Sequence, residues 1–531
     1  MRRPLSSRAF AAILVTALTL STASLISWGR PLFTDAGIFS LLGRFWLNGA
    51  VPYRDFWDNK PPVLLLLNAA ADLLGDVSGL GPATAIHLMA AFFVVVLSAA
   101  MAGLVRGFGA GRVVASLTGL TAVCFFAGYP FAAGGGFSEP PAFALALVAW
   151  LLVERSNRPA ALLTAGALAA ASLLTSYLAA GLLAGPILAL MARPGSVRSR
   201  LAGLAIMAAG TLTVAGPLLL YFVYNGAFND LWSALVSYNL AYATVHCPIA
   251  NTNGSWPCLS NVPFWPSLII FAAFLVPLTI AALLGLRAGL TRGVLLRLLV
   301  VLSISGLLAY SNLHRLPGSR YWWPIVAGLL PLAAMGLARY SWRHTWMPGS
   351  KPASMAKWGA MLLLVAQLVV PGGAALQAQA QANLSQDAVE SRTQLIAALA
   401  DAAPSPGPLL VWGNNATIYL YSSRAPLGNK VDLFALQLPG YASADMFGSM
   451  CRLVAMKRPV IIDEDADISL IGNAATPTGI EASWLAPLRA IVISDYEAIG
   501  RLTSPSGEQY DTVLIPRAGA IINASACGIV P

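Results

Sequence analysis

Long apolar stretches, each close to the length of a bilayer crossing, alternate along this chain with short polar breaks. They run at about 9–28, 82–105, 112–131, 138–154, 159–176, 177–192, 201–224, 264–286, 294–310, 320–338 and 357–375. A helix of roughly 20 apolar residues crosses a hydrocarbon core of about 30 Å, so the pattern predicts about eleven spans. The run at 62–74 is too short to span comfortably and carries Asp72, with Asp76 just beyond. It reads as a helix in or near the membrane interface. Upstream, "TDAGIFSLLGRFWLNG" places Ile38, Leu41, Leu42, Phe45 and Trp46 at helical spacing. Thr34 or Asp35 suits its N-cap and Gly49 its end. The spacing predicts an amphipathic helix lying on the membrane surface.

The pattern changes after "VVPGG", near residue 375. Residues 377–402 are polar, rich in Ala and Gln, and free of Pro and Gly, which predicts a helix. After "APSPGP" come short apolar runs bounded by turn residues: "LLVWG", "RPVIIDED", "AIVISD" and "DTVLIP". With helical stretches between them they predict a small α/β domain. The expected architecture is mainly α: a polytopic transmembrane helix bundle over 1–375 and an extracytoplasmic α/β domain over 376–531.

Composition agrees with this pattern. Of 531 residues, 57% are hydrophobic and only 10% charged, with a mean hydropathy of +0.70. A soluble globular enzyme is excluded. Charge then orients the bundle. If Arg2, Arg3 and Arg8 are cytoplasmic, the same side collects Arg106, Arg112, Arg155, Arg158, Arg193 and most other basic residues. Of the membrane part, only Arg30, Arg44, Arg54, Lys60, Arg315 and Arg320 fall outside, in the loops at 29–61 and 311–320. Outward cations therefore cluster where an anion can be held. Counting 62–74 as a span would invert every later loop and spoil the asymmetry. The first apolar segment has the shape of a signal peptide, but no convincing small-residue cleavage site follows it. Residues 376–531 hold 14 of the 22 acidic and 9 of the 32 basic residues, a net charge of −5. No nucleic-acid partner is expected. Cys124 lies within a span, whereas Cys247 with Cys258, and Cys451 with Cys527, share outward regions. Two disulfides are expected there, with free thiols as the alternative.

Four short pieces carry candidate chemistry. Asp35 opens the first outward helix, as a cap or as a base. "YRDFWDNKPP" holds Tyr53, Arg54, Asp55, Asp58 and Lys60 just before Pro61 and Pro62, which suit a helix's first turn. A lysine beside the positive end of a helix is poorly placed unless an anion joins it. It reads as a phosphate ligand or as a snorkelling side chain. In "GGGFSEPPAF", Glu139 opens a span behind three glycines. It lines a polar cavity or caps the helix with Ser138. In "SNLHRLPGSRYWWP", His314, Arg315 and Arg320 stand at a span boundary. The two arginines suit a phosphate or lipid headgroup, while the tryptophans suit an interfacial belt.

These pieces, in this order, resemble the GT-C superfamily of membrane glycosyltransferases, and most of all bacterial relatives of the protein O-mannosyltransferases and the lipid A aminoarabinose transferase. The resemblance rests on Asp35, on "NKPP" at 59–62, on Glu139, and on "GSRY" at Gly318–Tyr321. The tail's "VWGNNATIYLYSSRAPLGNK" is similar to the outward domain of such proteins. The resemblance implies an inverting transferase using a polyprenyl-phosphate-linked sugar at the outer face of the inner membrane. Asp35 would be the base, and Glu139 would orient the acceptor or assist Asp35. Lys60, Arg320, Arg54, Arg315 and His314 would face the donor phosphate. Asp55, Asp58 and Tyr53 would contact sugar or acceptor. The acceptor would be a glycan, lipid or protein, with membrane lipids as surroundings. No cofactor is certain. A divalent metal is conceivable, although neither loop holds a "DxD" pair and position 139 is Glu where the family often has Asp. Competing readings are a lipid-linked glycan transporter or flippase, a glycan polymerase or ligase, and a receptor. A transporter predicts inverted repeats and mid-membrane charges, and neither is visible in the sequence. The tail's "IIDEDAD" reads as a solvated loop after a strand, with a calcium site as the alternative.

Overall fold

The computed structural model describes residues 34–127, 138–244, 292–310, 323–343, 391–413, 415–429, 436, 438, 441–464, 469–471, 482–503, 510–520 and 527. The chain is mainly helical, with one small mixed sheet. Two helices open the described residues, α1 (Thr34–Leu47) and α2 (Pro62–Ser78). α1 carries Asp35 in its first turn and gives way to Gly49, whose φ of +88° suits glycine alone. α2 begins with Pro62 behind Pro61, where a missing N–H costs nothing. The two helices cross closely, since a Cβ on Gly43 would lie 2.6 Å from the Ala69 backbone nitrogen. Ser40 Oγ and Arg44 Nε of α1 each donate to Asp72 of α2, both at 2.9 Å. Asp72 is therefore a buried, paired anion. Leu66, Leu73, Leu74 and Val77 form the exposed side of α2 and suit hydrocarbon.

Among the described residues ten further helices follow: α3 (Pro82–Gly107), α4 (Arg112–Ala127), α5 (Glu139–Arg155), α6 (Pro159–Leu173), α7 (Ala180–Met191), α8 (Val197–Tyr224), α9 (Phe228–Trp232), α10 (Tyr238–Thr244), α11 (Arg292–Tyr310) and α12 (Trp323–Arg343). A 3-10 turn at Tyr177–Ala179 leads into α7, and a π-helical turn at Ser233–Ser237 joins α9 to α10. Each described helix from α3 to α8, with α11 and α12, falls on an expected apolar stretch. The stretches at 9–28, 264–286 and 357–375 lie outside the described residues, as do His314, Arg315, Arg320, Cys247 and Cys258. Among the described residues only α3 and α8 are long and apolar enough to cross a membrane. The apolar parts of the others are shorter, as in Val114–Val123 and Trp323–Met335. The described residues thus supply two clear spans, not eleven.

Small residues bring α6 and α8 together: a Cβ on Gly166 would strike the Met207 carbonyl, and one on Gly210 the Leu163 carbonyl. Trp150 of α5 sits at the heart of the bundle, against Phe108 and under Gly185. At one end of the bundle Glu154 pairs with Arg297 and accepts from Trp150 Nε1 at 3.1 Å. Arg193 donates there to the Ser156 carbonyl at 2.7 Å.

The C-terminal region begins its described part with a helix over 391–401, α13. Its sheet has the order β1-β2-β4-β3. β1 (Leu409–Trp412) and β2 (Val460–Asp463) are parallel, and β4 (Tyr510–Pro516) is antiparallel to both β2 and β3 (Tyr496–Thr503). Helices α14 (Ile418–Tyr421), α15 (Ala444–Lys457) and α16 (Ala482–Asp495) connect the strands. Cys451 and Cys527 form a disulfide across 76 residues of chain. The run "AIVISD" is the last turn and a half of α16, not a strand. Leu485, Leu488, Ile491 and Val492 repeat at helical spacing and are buried on one face, and burial of that face overrides β-branched propensity.

One expectation about α1 is corrected. Its apolar face does not lie on a membrane surface. Ile38, Leu41 and Leu42 share a core with Leu64 and Leu65 of α2 and with Ile396, Ile418, Tyr419 and Ile462 of the C-terminal region. An apolar stripe at helical spacing is satisfied by lipid or by protein, and the C-terminal region supplies the protein here.

Candidate active site

The site is built around residues 50–61, which join α1 to α2. Asp55 turns the start of this loop by accepting the Val51 N–H at 2.7 Å. Tyr53 follows with a φ of +69°, a left-handed conformation that a bulky residue adopts at a cost. Its ring is 1% exposed and packs on Phe222 of α8, with centroids 5.4 Å apart. Its hydroxyl donates to the Lys60 carbonyl at 2.8 Å. Burial pushes the phenol's ionisation well above its ordinary value, and the Asp58 charge adds to this, so the hydroxyl keeps its proton.

Asp58 is 6% exposed and accepts the Lys60 N–H at 2.6 Å. Burial pushes its carboxyl up to about 6. The nearby Lys60 ammonium and backbone N–H oppose the rise, and the charge of Asp35 adds to it. Asp35, in the first turn of α1, and Lys60 therefore each act electrostatically on Asp58. The half-buried Lys60 immediately precedes the two prolines of α2.

Glu139 opens α5 at 1% exposure, and neither carboxylate oxygen has a hydrogen-bond partner among the described residues. Pro140 and Pro141 supply no N–H to it, and Ser138 makes no side-chain cap. The capping alternative for Glu139 therefore fails. The Val63 N–H donates to the Leu174 carbonyl at 2.9 Å, and Ser172 Oγ donates to the Ala142 carbonyl at 2.7 Å. The end of α6 thus ties the first turns of α2 and α5 together, bringing "NKPP" and "EPP" to one end of the bundle.

Arg54 is elsewhere. It grips Asp55 with two bonds of 2.7 and 2.8 Å and donates to the Asn225 carbonyl at 2.8 Å, on the exposed side of the loop. The Arg54 hydrogen bonds and charge hold the Asp55 carboxyl below its ordinary range. The pair braces the loop against the end of α8. Two of the outward cations thus already have anions: Arg44 has Asp72, and Arg54 has Asp55.

Sequence reasoning missed the groups that hold this loop from outside. Trp57 donates through its backbone N–H to the Asn429 carbonyl at 2.7 Å and through Nε1 to the Tyr441 hydroxyl at 3.2 Å. Tyr441 also meets Ser233 of the π-helical turn at 3.1 Å. Asn429 donates to the Arg54 carbonyl at 3.1 Å. Tyr238 packs edge-on against both Trp57 and Tyr441. Asn239 of α10 exchanges hydrogen bonds with Asn59. Asn429 falls in the tail stretch "VWGNNATIYLYSSRAPLGNK", and Tyr238 and Tyr242 stand at helical spacing in a loop region without Lys or Arg, but nothing in the sequence singles out Asn239 or Tyr441.

In the tail, Asp463 accepts from Ser469 Oγ and from the N–H groups of Leu470 and Ile471, so it closes a turn. Among the described residues no group of three or more His, Cys, Asp or Glu is placed to hold a metal ion.

The overall fold has solved counterparts. The mycobacterial arabinofuranosyltransferase AftD superposes with a TM-score of 0.56 at 16% identity, covering 98% of this chain and 40% of its own. The oligosaccharyltransferase AglB from Archaeoglobus fulgidus, solved with an inhibitory peptide and a dolichol-phosphate, gives 0.50 at 11%, covering 95% of this chain and 74% of its own. These are glycosyltransferases of the GT-C class, and the chain shares their fold. It spans about two fifths of the length of the arabinofuranosyltransferase. No protein-family profile matches the chain, and no curated protein matches it in sequence.

Proposed function

We propose that this chain is an inverting glycosyltransferase that moves a sugar from a polyprenyl-phosphate donor to an acceptor hydroxyl at the outer face of the inner membrane. The observation that supports the reading is a buried Asp58 that accepts the Lys60 N–H at 2.6 Å at the entrance of α2 and feels the charge of Asp35, in a chain with a GT-C fold. A hydroxyl is a weak nucleophile and needs a base as it attacks the anomeric carbon. Asp35 takes its proton, a carbon–oxygen bond to the acceptor forms, and the anomeric bond to phosphate breaks in the same step. Polyprenyl phosphate leaves with the bonding electrons. Lys60, with His314, Arg315 and Arg320, offsets the charge developing on that phosphate. Glu139, buried and without a hydrogen-bond partner among the described residues, orients the acceptor or assists Asp35.

In this reading residues 1–375 form the catalytic membrane module, with about eleven spans and a cytoplasmic N-terminus. Residues 376–531 form an extracytoplasmic domain that helps receive a glycan, lipid or protein acceptor. The test is to incubate the purified protein with a panel of polyprenyl-phosphate sugars and assay free polyprenyl phosphate. Release with inversion at the anomeric carbon supports the reading. Movement of intact lipid-linked glycan across vesicles without cleavage would replace it with a transporter, and transfer of whole oligosaccharides would make it a ligase.

A further inference from the structure

Residues 58–60 belong to no helix or strand, yet three side chains close on their backbone. Asp58 accepts the Lys60 N–H at 2.6 Å, and the Tyr53 hydroxyl donates to the Lys60 carbonyl at 2.8 Å. Asn239 Nδ2 donates to the Asn59 carbonyl at 3.2 Å, and Asn59 Nδ2 returns a bond to Asn239 Oδ1 at 3.4 Å. Asn239 is itself anchored, donating to the Leu235 carbonyl at 3.0 Å inside the π-helical turn. The peptide groups on both sides of the Lys60 Cα are thus fixed. Anchoring the loop does not require this, because Trp57 already ties it to Asn429 and Tyr441. Tyr53 nevertheless carries backbone strain to deliver its hydroxyl, and such strain persists where surroundings over-determine it. A flexible ammonium gains most from this, since a pre-set stem lowers the ordering cost of meeting an anion.

We propose that Tyr53, Asp58 and Asn239 are positioning residues that clamp the Lys60 backbone so that its ammonium meets a phosphate ester. The proposal rests on the reading of Lys60 as a donor-phosphate ligand. It also gives the segment after α8 a part in the site and moves Tyr53 and Asp58 from sugar contacts to supports.

The test measures binding of a polyprenyl monophosphate, with inorganic phosphate as a second arm, to the purified full-length chain. Y53F keeps the ring and removes only the hydroxyl. N239A removes the amide, and N59A backs it up by removing the returned bond. Y53F, which removes one hydrogen bond, is expected to weaken lipid-phosphate binding about fivefold, and N239A, which removes both bonds to Asn59, by at least as much, with thermal stability near wild type. Combined with K60A, each is expected to add nothing to the loss from K60A alone, because the clamp acts through Lys60. Weakening in the inorganic-phosphate arm as well assigns the effect to the headgroup. Wild-type affinity in Y53F and N239A, or full additivity with K60A, overturns the clamp. If binding still depends on Lys60 in that case, the donor reading stands. A wild-type chain that binds no lipid phosphate ends that reading and the clamp together.

Discussion

The C-terminal sheet and the loop at 50–61 are held in opposite ways. The sheet supports itself on one face: its strands pair along their length, Trp412, Phe447 and Leu488 fill a core of its own there, and a disulfide closes 76 residues of it. The loop has hydrogen bonds of its own but borrows its packing. Tyr53 leans on Phe222, Trp57 on Asn429 and Tyr441, and Asn59 on Asn239. A self-supporting region can lose a staple and keep its partner working. A borrowed loop fails when any lender shifts. The two regions meet along α1, whose apolar face belongs to the core beside the sheet and whose first turn carries Asp35.

The largest expected effect falls on the loop side. D35N keeps shape and removes the base, so turnover should fall by about 10²–10⁴-fold while lipid-phosphate binding survives. An assay of donor cleavage beside a binding measurement reads both. Turnover within a few fold of wild type would remove Asp35 from the chemistry.

On the sheet side, replacing Cys451 and Cys527 with Ser should lower the stability of the C-terminal region by about 2–4 kcal/mol. Thermal unfolding followed by proteolysis would show that region released first. Donor cleavage below its new melting point should stay near wild type. Simultaneous loss of cleavage and of the bundle would mean that the two regions do not differ as described.

Acidity probes both regions at once. Asp58 in the loop and Asp511 in the sheet are each pushed up to about 6, first by burial. The folded chain therefore binds more protons than the unfolded chain between the ordinary carboxylate value of 3.8 and about 6. Stability contributed by these groups is present at the acid end of that window and is lost as pH rises through it. For the fully buried Asp58 the loss approaches 3 kcal/mol as an order of magnitude, from about 1.4 kcal/mol per pH unit. D58N retains an acceptor for the Lys60 N–H and should flatten the loop's share of the slope, and D511N the sheet's. An unchanged profile in D58N would contradict the burial of Asp58.

The smallest effect tests the seam. A Cβ on Gly37 would collide with Thr417, so G37V should pry the C-terminal region from α1 at a cost of about 1–3 kcal/mol. Donor cleavage should drop several-fold with the bundle's own stability unchanged. If cleavage were untouched, the C-terminal region would not be needed to set the loop.

The sequence by itself determined the apolar helices, their approximate ends, the change of composition near 375, and the presence of Cys451 and Cys527 in one region, while the structure showed them bonded. These follow from hydropathy, proline and glycine, which act locally and need no knowledge of neighbours. It also picked out Asp35, Lys60 and Glu139, because charge is costly in apolar surroundings and stands out there. Tertiary structure alone decided what each charge meets. Arg54 and Lys60 stand six residues apart in one motif, yet one braces a surface turn with Asp55 and the other sits beside Asp58. The apolar face of α1 reads the same whether lipid or protein covers it, and only the placement of the C-terminal sheet chose protein. Asn239, Asn429 and Tyr441 lie 180, 375 and 384 residues from their partners in the loop, and contacts of that range leave no periodic trace in the chain.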